Sequence, residues 1–347
     1  MNYCGLDIAM KTSYVYIMDG RGCKKISGEV DTTYMALSHR LTPYVRGGLK
    51  IAIEAGNQTA WIYDCLVRLG ADVVVVNPTK VKLIAESRRK TDKIDAKILA
   101  DLLRLEGLPE PVHMPGRLIR ELRGLLTARK QLVQARAKLC NVVRGMLRQE
   151  GIRLPARYLN TFKGWQTLLG RGSFTCQHLP VILSSYYESY ISLTRSIQGI
   201  EKELSHREQA DERAAQLQTI PKVGRIASLT FLAAVDDVKR FGSSRKLVRY
   251  SGLCPTVRSS GERTDYGAIS REGRSDLRAV WIQIAHLVAC DKGRNTARLR
   301  CWYHQVAQKR GKKTALVALA RKLLTIAYRL LYDESEYHSV LVSQEAA

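Results

Sequence analysis

Tyr3-Cys4-Gly5-Leu6-Asp7 and Lys50-Ile51-Ala52-Ile53-Glu54 are two short apolar runs, each closed by a carboxylate. Runs of this length bounded by polar residues read as buried strands. Acids ending such strands are uncommon without a purpose, because Asp and Glu are rarely buried unpaired. A third acidic feature follows in Lys90-Thr91-Asp92-Lys93-Ile94-Asp95-Ala96-Lys97. In a helix Asp92 and Asp95 would share a face, since positions i and i+3 are surface neighbours. Carboxylates gathered from two strand ends and one helix repel each other unless protons or cations intervene. Divalent metal is the usual remedy, and a two-metal carboxylate site holds both oxygens of a phosphodiester displacement. Asp7, Glu54, Asp92 and Asp95 are therefore the candidate metal ligands and catalytic acids.

Around these runs the first hundred residues alternate between strand-like and helix-like patterns. Strands are expected over residues 3–9, 13–18, 22–30, 50–53 and 72–76. Asp19-Gly20-Arg21-Gly22 is a hairpin signal between the second and third of them. Helices are expected from Asp31-Thr32-Thr33 to about Leu41, over 58–69 with Gly70 as the stop, and after Thr91. The four valines at 73–76 suit a strand covered on both faces. Three meandering strands, helix, strand, helix, strand, helix is the order of a ribonuclease H-like fold, three α/β layers. All four acids then converge at one end of the sheet, where open α/β folds tend to place their sites.

Residues 117–149 read as one long helix, with Leu118, Leu122, Leu125, Leu132, Val133 and Leu139 marking a buried stripe. Residues 150–178 break the period and read as an irregular insertion. A second long helix over 181–216 would complete an antiparallel coiled-coil arm. Gln218-Thr219-Ile220-Pro221-Lys222-Val223-Gly224-Arg225-Ile226-Ala227 resembles a helix-hairpin-helix turn, whose backbone N–H groups face a DNA phosphate. Further helices are expected at 228–235, 244–250, 275–290, 296–308 and 313–331, with a loose tail after Glu334. The four tryptophans, Trp61, Trp165, Trp281 and Trp302, are assigned to the core. The implied domains are residues 1–110, 111–216 and 217–335, with 336–347 as tail.

The 347-residue chain carries 56 Lys and Arg against 32 Asp and Glu, a net charge of +24. Such an excess points to polyanionic partners, with nucleic acid first. Arg88-Arg89-Lys90 and Lys309, Arg310, Lys312 and Lys313 are candidate phosphate contacts. No apolar stretch approaches the ~20 residues of a membrane span. A strand-like segment at Tyr3 leaves no place for a secretory signal, so a cytoplasmic, nucleoid-associated prokaryotic protein is expected. Eight scattered cysteines lack any C-x-x-C pair, which excludes zinc-ribbon spacing and fits reduced thiols.

An ordered set of short words spans nearly the whole chain: Gly5-Leu6-Asp7, Ile53-Glu54-Ala55, Val76-Asn77-Pro78, Thr91-Asp92-x-x-Asp95-Ala96 and Ile220-Pro221-x-x-Gly224. Gly252-Leu253-x-Pro255, Ser260-Gly261 and Ser270-Arg271-x-Gly273-x-x-x-Leu277-Arg278 follow. The set resembles the DEDD transposases of the insertion sequence 110 family, to which pilin-gene inverting recombinases also belong. The resemblance implies a RuvC-like N-terminal domain binding Mg2+ (two ions per site) through Asp7, Glu54, Asp92 and Asp95. It implies a mostly α-helical C-terminal transposase domain whose serine, Ser260 or the adjacent Ser259, attacks DNA and becomes covalently attached. It further implies a bridge RNA, a structured non-coding guide pairing with donor and target DNA, and a dimer or tetramer with a composite site. Arg258 and Arg263 are candidate clamps on the transferring phosphate. Lys222, Gly224, Arg271 and Arg278 are further nucleic-acid contacts. The rival readings are a RuvC-like nuclease or resolvase without covalent step, a protein-only DNA invertase, and a non-catalytic architectural binder.

Overall fold

The computed structural model describes residues 1–84, 91–171, 174–260 and 263–337. They form two compact units, Met1–Pro115 and Gly116–Ala347. The first unit is a mixed α/β sheet with helices. Its strands are β1 (Asn2–Asp7), β2 (Thr12–Asp19), β3 (Lys24–Asp31), β4 (Leu49–Glu54) and β5 (Asp72–Val76), in the order β3-β2-β1-β4-β5. β1 pairs antiparallel with β2 and parallel with β4, and β4 pairs parallel with β5. Helices α1 (Tyr34–Val45), α2 (Thr59–Arg68), α3 (Pro78–Ile84) and α4 (Asp92–Arg104) complete it. This arrangement is consistent with a ribonuclease H-like domain.

Local chemistry accounts for the boundaries. Thr33 and Thr91 are extended residues whose hydroxyls accept from Ala36 N and Ile94 N, starting α1 and α4. Gly70, at φ +87°, ends α2 in the left-handed region that glycine tolerates. Strand alternation then sorts the faces. Cys4, Leu6, Ile51, Ile53, Val73 and Val75 share one apolar cluster with residues of α1 and α2, while Ala52, Val74 and Val76 pack with Leu99 and Leu103 of α4. The valine run is thus covered on both faces, but β5 is an edge strand, and only Val75 and Val76 are fully buried. Trp61 departs from its core assignment: it is 39% exposed on α2, because Ile62, Cys65 and Leu66 form the helix's inward stripe. All eight cysteines are free thiols, and burial pushes the Cys4 thiol up to about 12.

The second unit is largely helical: α5 (Arg117–Gln149), α6 (Phe162–Leu169), α7 (Leu179–Gln209), α8 (Glu212–Gln218), α9 (Arg225–Val235), α10 (Ser244–Tyr250), α11 (Ser275–Cys290), α12 (Ala297–Arg310) and α13 (Lys312–Tyr332). Strands β6 (Pro255–Ser260) and β7 (Arg263–Ile269) form a separate antiparallel pair. α5 and α7 pack antiparallel, since Glu121 pairs with Arg207, Arg129 with Glu201, and Arg136 donates to Thr194. Leu118 falls outside the expected stripe and is 66% exposed, whereas Leu122 and Leu139 are buried.

Three expectations for this unit are refined or corrected. The described residues of 150–178 are largely irregular, as expected, but they are not without order: α6 seats a fully buried Trp165 against Leu139, Val143, Leu147, Leu183 and Tyr190, and the Trp165 indole donates to Leu159 O at 2.8 Å. The second long helix does not continue to 216. It stops at Gln209, and Asp211, extended, accepts from Arg213 N to open α8. Residues 335–337 are not loose, because Gln216 Nε2 donates to Ser335 O at 2.6 Å and Tyr337 N donates to Thr219 Oγ1 at 3.0 Å. Positions 338–347 lie outside the described residues. Removing the cap by Asp211→Ala is expected to destabilise the second unit by about 1 kcal/mol, read as a lower urea midpoint with unchanged slope. An unchanged midpoint would show that something other than this cap breaks the helix.

Candidate active site

Asp7 and Glu54 close adjacent parallel strands, with Leu6 opposite Ile53 in register. Alternation along β1 and β4 sends Cys4, Leu6, Ile51 and Ile53 to the α1–α2 side. Asp7 and Glu54 therefore belong to the opposite face, the one covered by α4. Gly5 lets that helix approach: a Cβ there would lie 1.9 Å from Ala96 O and 2.7 Å from Ala100 N. Farther along α4 the Arg104 guanidinium lies against Gly22, beyond the Asp19 end of β2, and Asp19 pairs with Asn2. α4 thus runs opposite to β1, and its first turn lies at the Asp7 end. Asp92 and Asp95 occupy that turn, one turn before Ala96 and Leu99 on the sheet-facing stripe. Asp7, Glu54 and Asp95 are half-buried and Asp92 is exposed.

The loops around these acids are pinned by hydrogen bonds. Thr59 Oγ1 donates to Glu54 O at 3.0 Å and accepts from Gly56 N at 2.6 Å. Ala55 N donates to Val76 O at 2.9 Å, and Gln58 Nε2 donates to Ala9 O at 3.3 Å, joining the loops after β4 and β1. The positive end of α4 faces the same edge and favours anionic groups there. An all-carboxylate set suits a hard divalent cation. Among the described residues, however, no three His, Cys, Asp or Glu side chains stand close enough to hold an ion. The fold brings the four acids to one edge and does not close them into a cage.

In the second unit, Ser260 is the last residue of β6 and pairs across the ladder with Arg263, while Ser259 pairs with Thr264 and Arg258 with Asp265. The hairpin escaped the sequence reading, although its β-branched and aromatic residues (Thr256, Val257, Thr264, Tyr266) around Gly261 are a strand signal. Lys222, in a left-handed conformation (φ +68°) in the α8–α9 turn, places its ammonium 3.0 Å from Asp291 Oδ1. That hydrogen bond holds the Asp291 carboxyl below the usual carboxylate range. Gly224 caps α9 with open space beside it. Arg271 is exposed at φ +57°, and Arg278 donates to Ser251 O at 2.9 Å. Lys309, Arg310, Lys312 and Lys313 are exposed. Arg88, Arg89 and Lys90 lie outside the described residues.

Comparison with known proteins accounts for this division of residues. A family model described as a transposase of the DEDD type matches residues 4–151, and one described as the transposase IS116/IS110/IS902 family matches residues 214–301. The chain is 26% identical over 291 residues to the transposase for insertion sequence element IS1111A of Coxiella burnetii, covering 83% of this chain and 79% of the relative. It is 27% identical over 282 residues to the IS1328 transposase of Yersinia enterocolitica, covering 80% and 82%. A pilin gene-inverting protein of Moraxella bovis is 25% identical over 343 residues, 95% of each chain. A DEDD-type domain suggests use of divalent metal, and transposases act on DNA. With both family models matched in order, and the sheet of the first expected from its sequence, the chain belongs to the IS110 family of insertion-sequence transposases.

Proposed function

We propose that this transposase cleaves and rejoins DNA through a covalent phosphoserine link made by Ser260, with Mg2+ held by Asp7, Glu54, Asp92 and Asp95. The observation that supports the metal part of the reading is the sheet edge, where Asp7 and Glu54 end parallel strands near the helix turn bearing Asp92 and Asp95. The choice of Ser260 rests on the family words around it. The Ser260 oxygen forms a bond to phosphorus as the bond from phosphorus to the departing sugar oxygen breaks. The serine proton is lost and the departing oxygen gains one. Attack by a sugar hydroxyl on the phosphoserine reverses these steps, so the bond energy is kept for rejoining. Divalent metal would supply charge neutralisation at the phosphate. In this proposal residues 1–110 carry the acids, α5 to α7 (117–209) form an arm that serves assembly as a dimer or tetramer, and the helices and hairpin after it carry the serine. Arg258, Arg263, Arg271, Lys222 and the backbone at Gly224 contact phosphate, and a bridge RNA selects donor and target DNA.

The test is a protein–DNA adduct that survives denaturation when the protein meets Mg2+ and DNA carrying the element's ends. Cleavage without an adduct would transfer the reading to a water-using nuclease or resolvase. For the metal, calorimetry is expected to detect Mg2+ binding that Asp7→Ala and Glu54→Ala each abolish, and unchanged binding in both would sink the assignment. Sequencing RNA that co-purifies is expected to return one discrete structured species. Heterogeneous bulk RNA would favour a protein-only invertase.

A further inference from the structure

Gly252 and Gly273 flank the β6–β7 hairpin and adopt φ +69° and +106°. The two segments cross at backbone contact. A Cβ on Gly252 would lie 2.4 Å from Glu272 O, and one on Gly273 would lie 2.2 Å from Tyr250 O. Three backbone hydrogen bonds bind the crossing: Ser270 N to Cys254 O at 2.8 Å, Arg271 N to Gly252 O at 3.3 Å and Arg274 N to Tyr250 O at 3.0 Å. Arg278, in the first turns of α11, closes it by donating from Nη1 to Ser251 O at 2.9 Å. Ser251 is fully buried, and its hydroxyl donates to Val248 O at 2.6 Å. The link therefore ties the hairpin root to the end of α10 and to α11. Leu253 and Leu277 beside it are buried in the unit's core. Arg274 is not spare for this duty, since its guanidinium forms a two-pronged pair with Asp276 at 3.0 and 2.5 Å.

We propose that Arg278 is a positioning residue for strand cleavage, holding the hairpin root so that its far end stays in place. The proposal rests on the reading of Ser260 as nucleophile. From Pro255 to Ser260 the strand extends roughly 17 Å. A tilt of about 6° at the root would then move the far end by about 2 Å, and a misplacement of about 1 Å can cost 100-fold in rate. Lysine at this position would keep the charge and lose the rigid guanidinium that aims Nη1 at Ser251 O.

The experiment compares Arg278→Ala and Arg278→Lys with the wild-type chain in three measurements. Single-turnover cleavage of saturating bound DNA is expected to fall about 100-fold in the alanine variant. DNA affinity and its dependence on salt are expected to stay unchanged. Amide hydrogen exchange is expected to accelerate in residues 255–260 and 263–269 and not in α5 or α7, which separates a loosened hairpin from a destabilised unit. Should the alanine variant fail to fold, the lysine variant carries the same three measurements. A salt slope reduced by about 0.9, with cleavage of bound DNA retained, would make Arg278 a phosphate contact and overturn the proposal. Unchanged cleavage and exchange would also overturn it. Ser260→Ala run in parallel distinguishes the two failures. If that variant cleaves normally the nucleophile reading falls, while hydrogen exchange still decides whether Arg278 clasps the hairpin.

Discussion

Gly5→Ala is expected to unfold the first unit or to lower its melting temperature by more than about 12 °C. The added methyl would sit 1.9 Å from Ala96 O and 2.7 Å from Ala100 N, both backbone atoms of α4 that no rotamer change can move. Overpacking typically costs about 1–3 kcal/mol when side chains can yield. Here helix and strand must separate, so the cost reaches at least the top of that range. At about 4–8 °C per kcal/mol for a domain near this size, the shift follows. β1 is central, paired on both edges, and cannot retreat without breaking ladders to β2 and β4. The same displacement would lift Asp92 and Asp95 from the edge where Asp7 and Glu54 end, so Mg2+ binding should fail in any folded remnant. Calorimetric melting reads the first effect, with Gly124→Ala as control. Gly124 lies in α5 with nothing within 4 Å of an added methyl, and alanine there should stabilise by about 0.5–1 kcal/mol. A Gly5→Ala melting point within 2 °C of wild type would mean that α4 does not press on β1 as described.

Ser260→Ala is expected to abolish strand cleavage, by on the order of 10⁴-fold or more, with DNA affinity unchanged. Removing a covalent nucleophile leaves only water attack and whatever stabilisation the rest of the site provides. Binding should survive because the unit's many cations supply it, and phosphate contacts act without the serine. Ser259→Ala is the companion variant, since the two serines adjoin on β6. If Ser260→Ala cleaves like wild type and Ser259→Ala does not, the nucleophile moves by one residue. Normal cleavage by both variants would leave water as the nucleophile.

The carboxylates were legible in sequence because an acid at the end of an apolar run carries both its strand and its position along it. Asp7 and Glu54 needed no partner to be noticed, and their place at the ends of adjacent parallel strands followed from the topology. Asp92 and Asp95 were placed on one face by spacing alone. The hairpin strands 255–260 and 263–269 were missed although their β-branched and aromatic residues are a strand signal, and Ser260 stood out through its surrounding family words rather than local chemistry. Arg278 reads in sequence as one more cation in a chain of +24. Only the fold shows that it spends a hydrogen bond on Ser251 O.

Local signals in the chain determined the order of the five strands and of α1, α2 and α4 in the first unit, though not α3, and the bounds of α5, α10 and α11, because caps, periodicity and glycine stops act within a few residues. They also determined which acids end strands. Tertiary structure decided what depends on distant partners. It made β5 an edge strand, left Trp61 and Leu118 exposed, buried Trp165 inside an apparent insertion, and tied Lys222 to Asp291. The physical reason is common to all of these: burial and pairing are properties of two surfaces, and one stretch of sequence carries only its own.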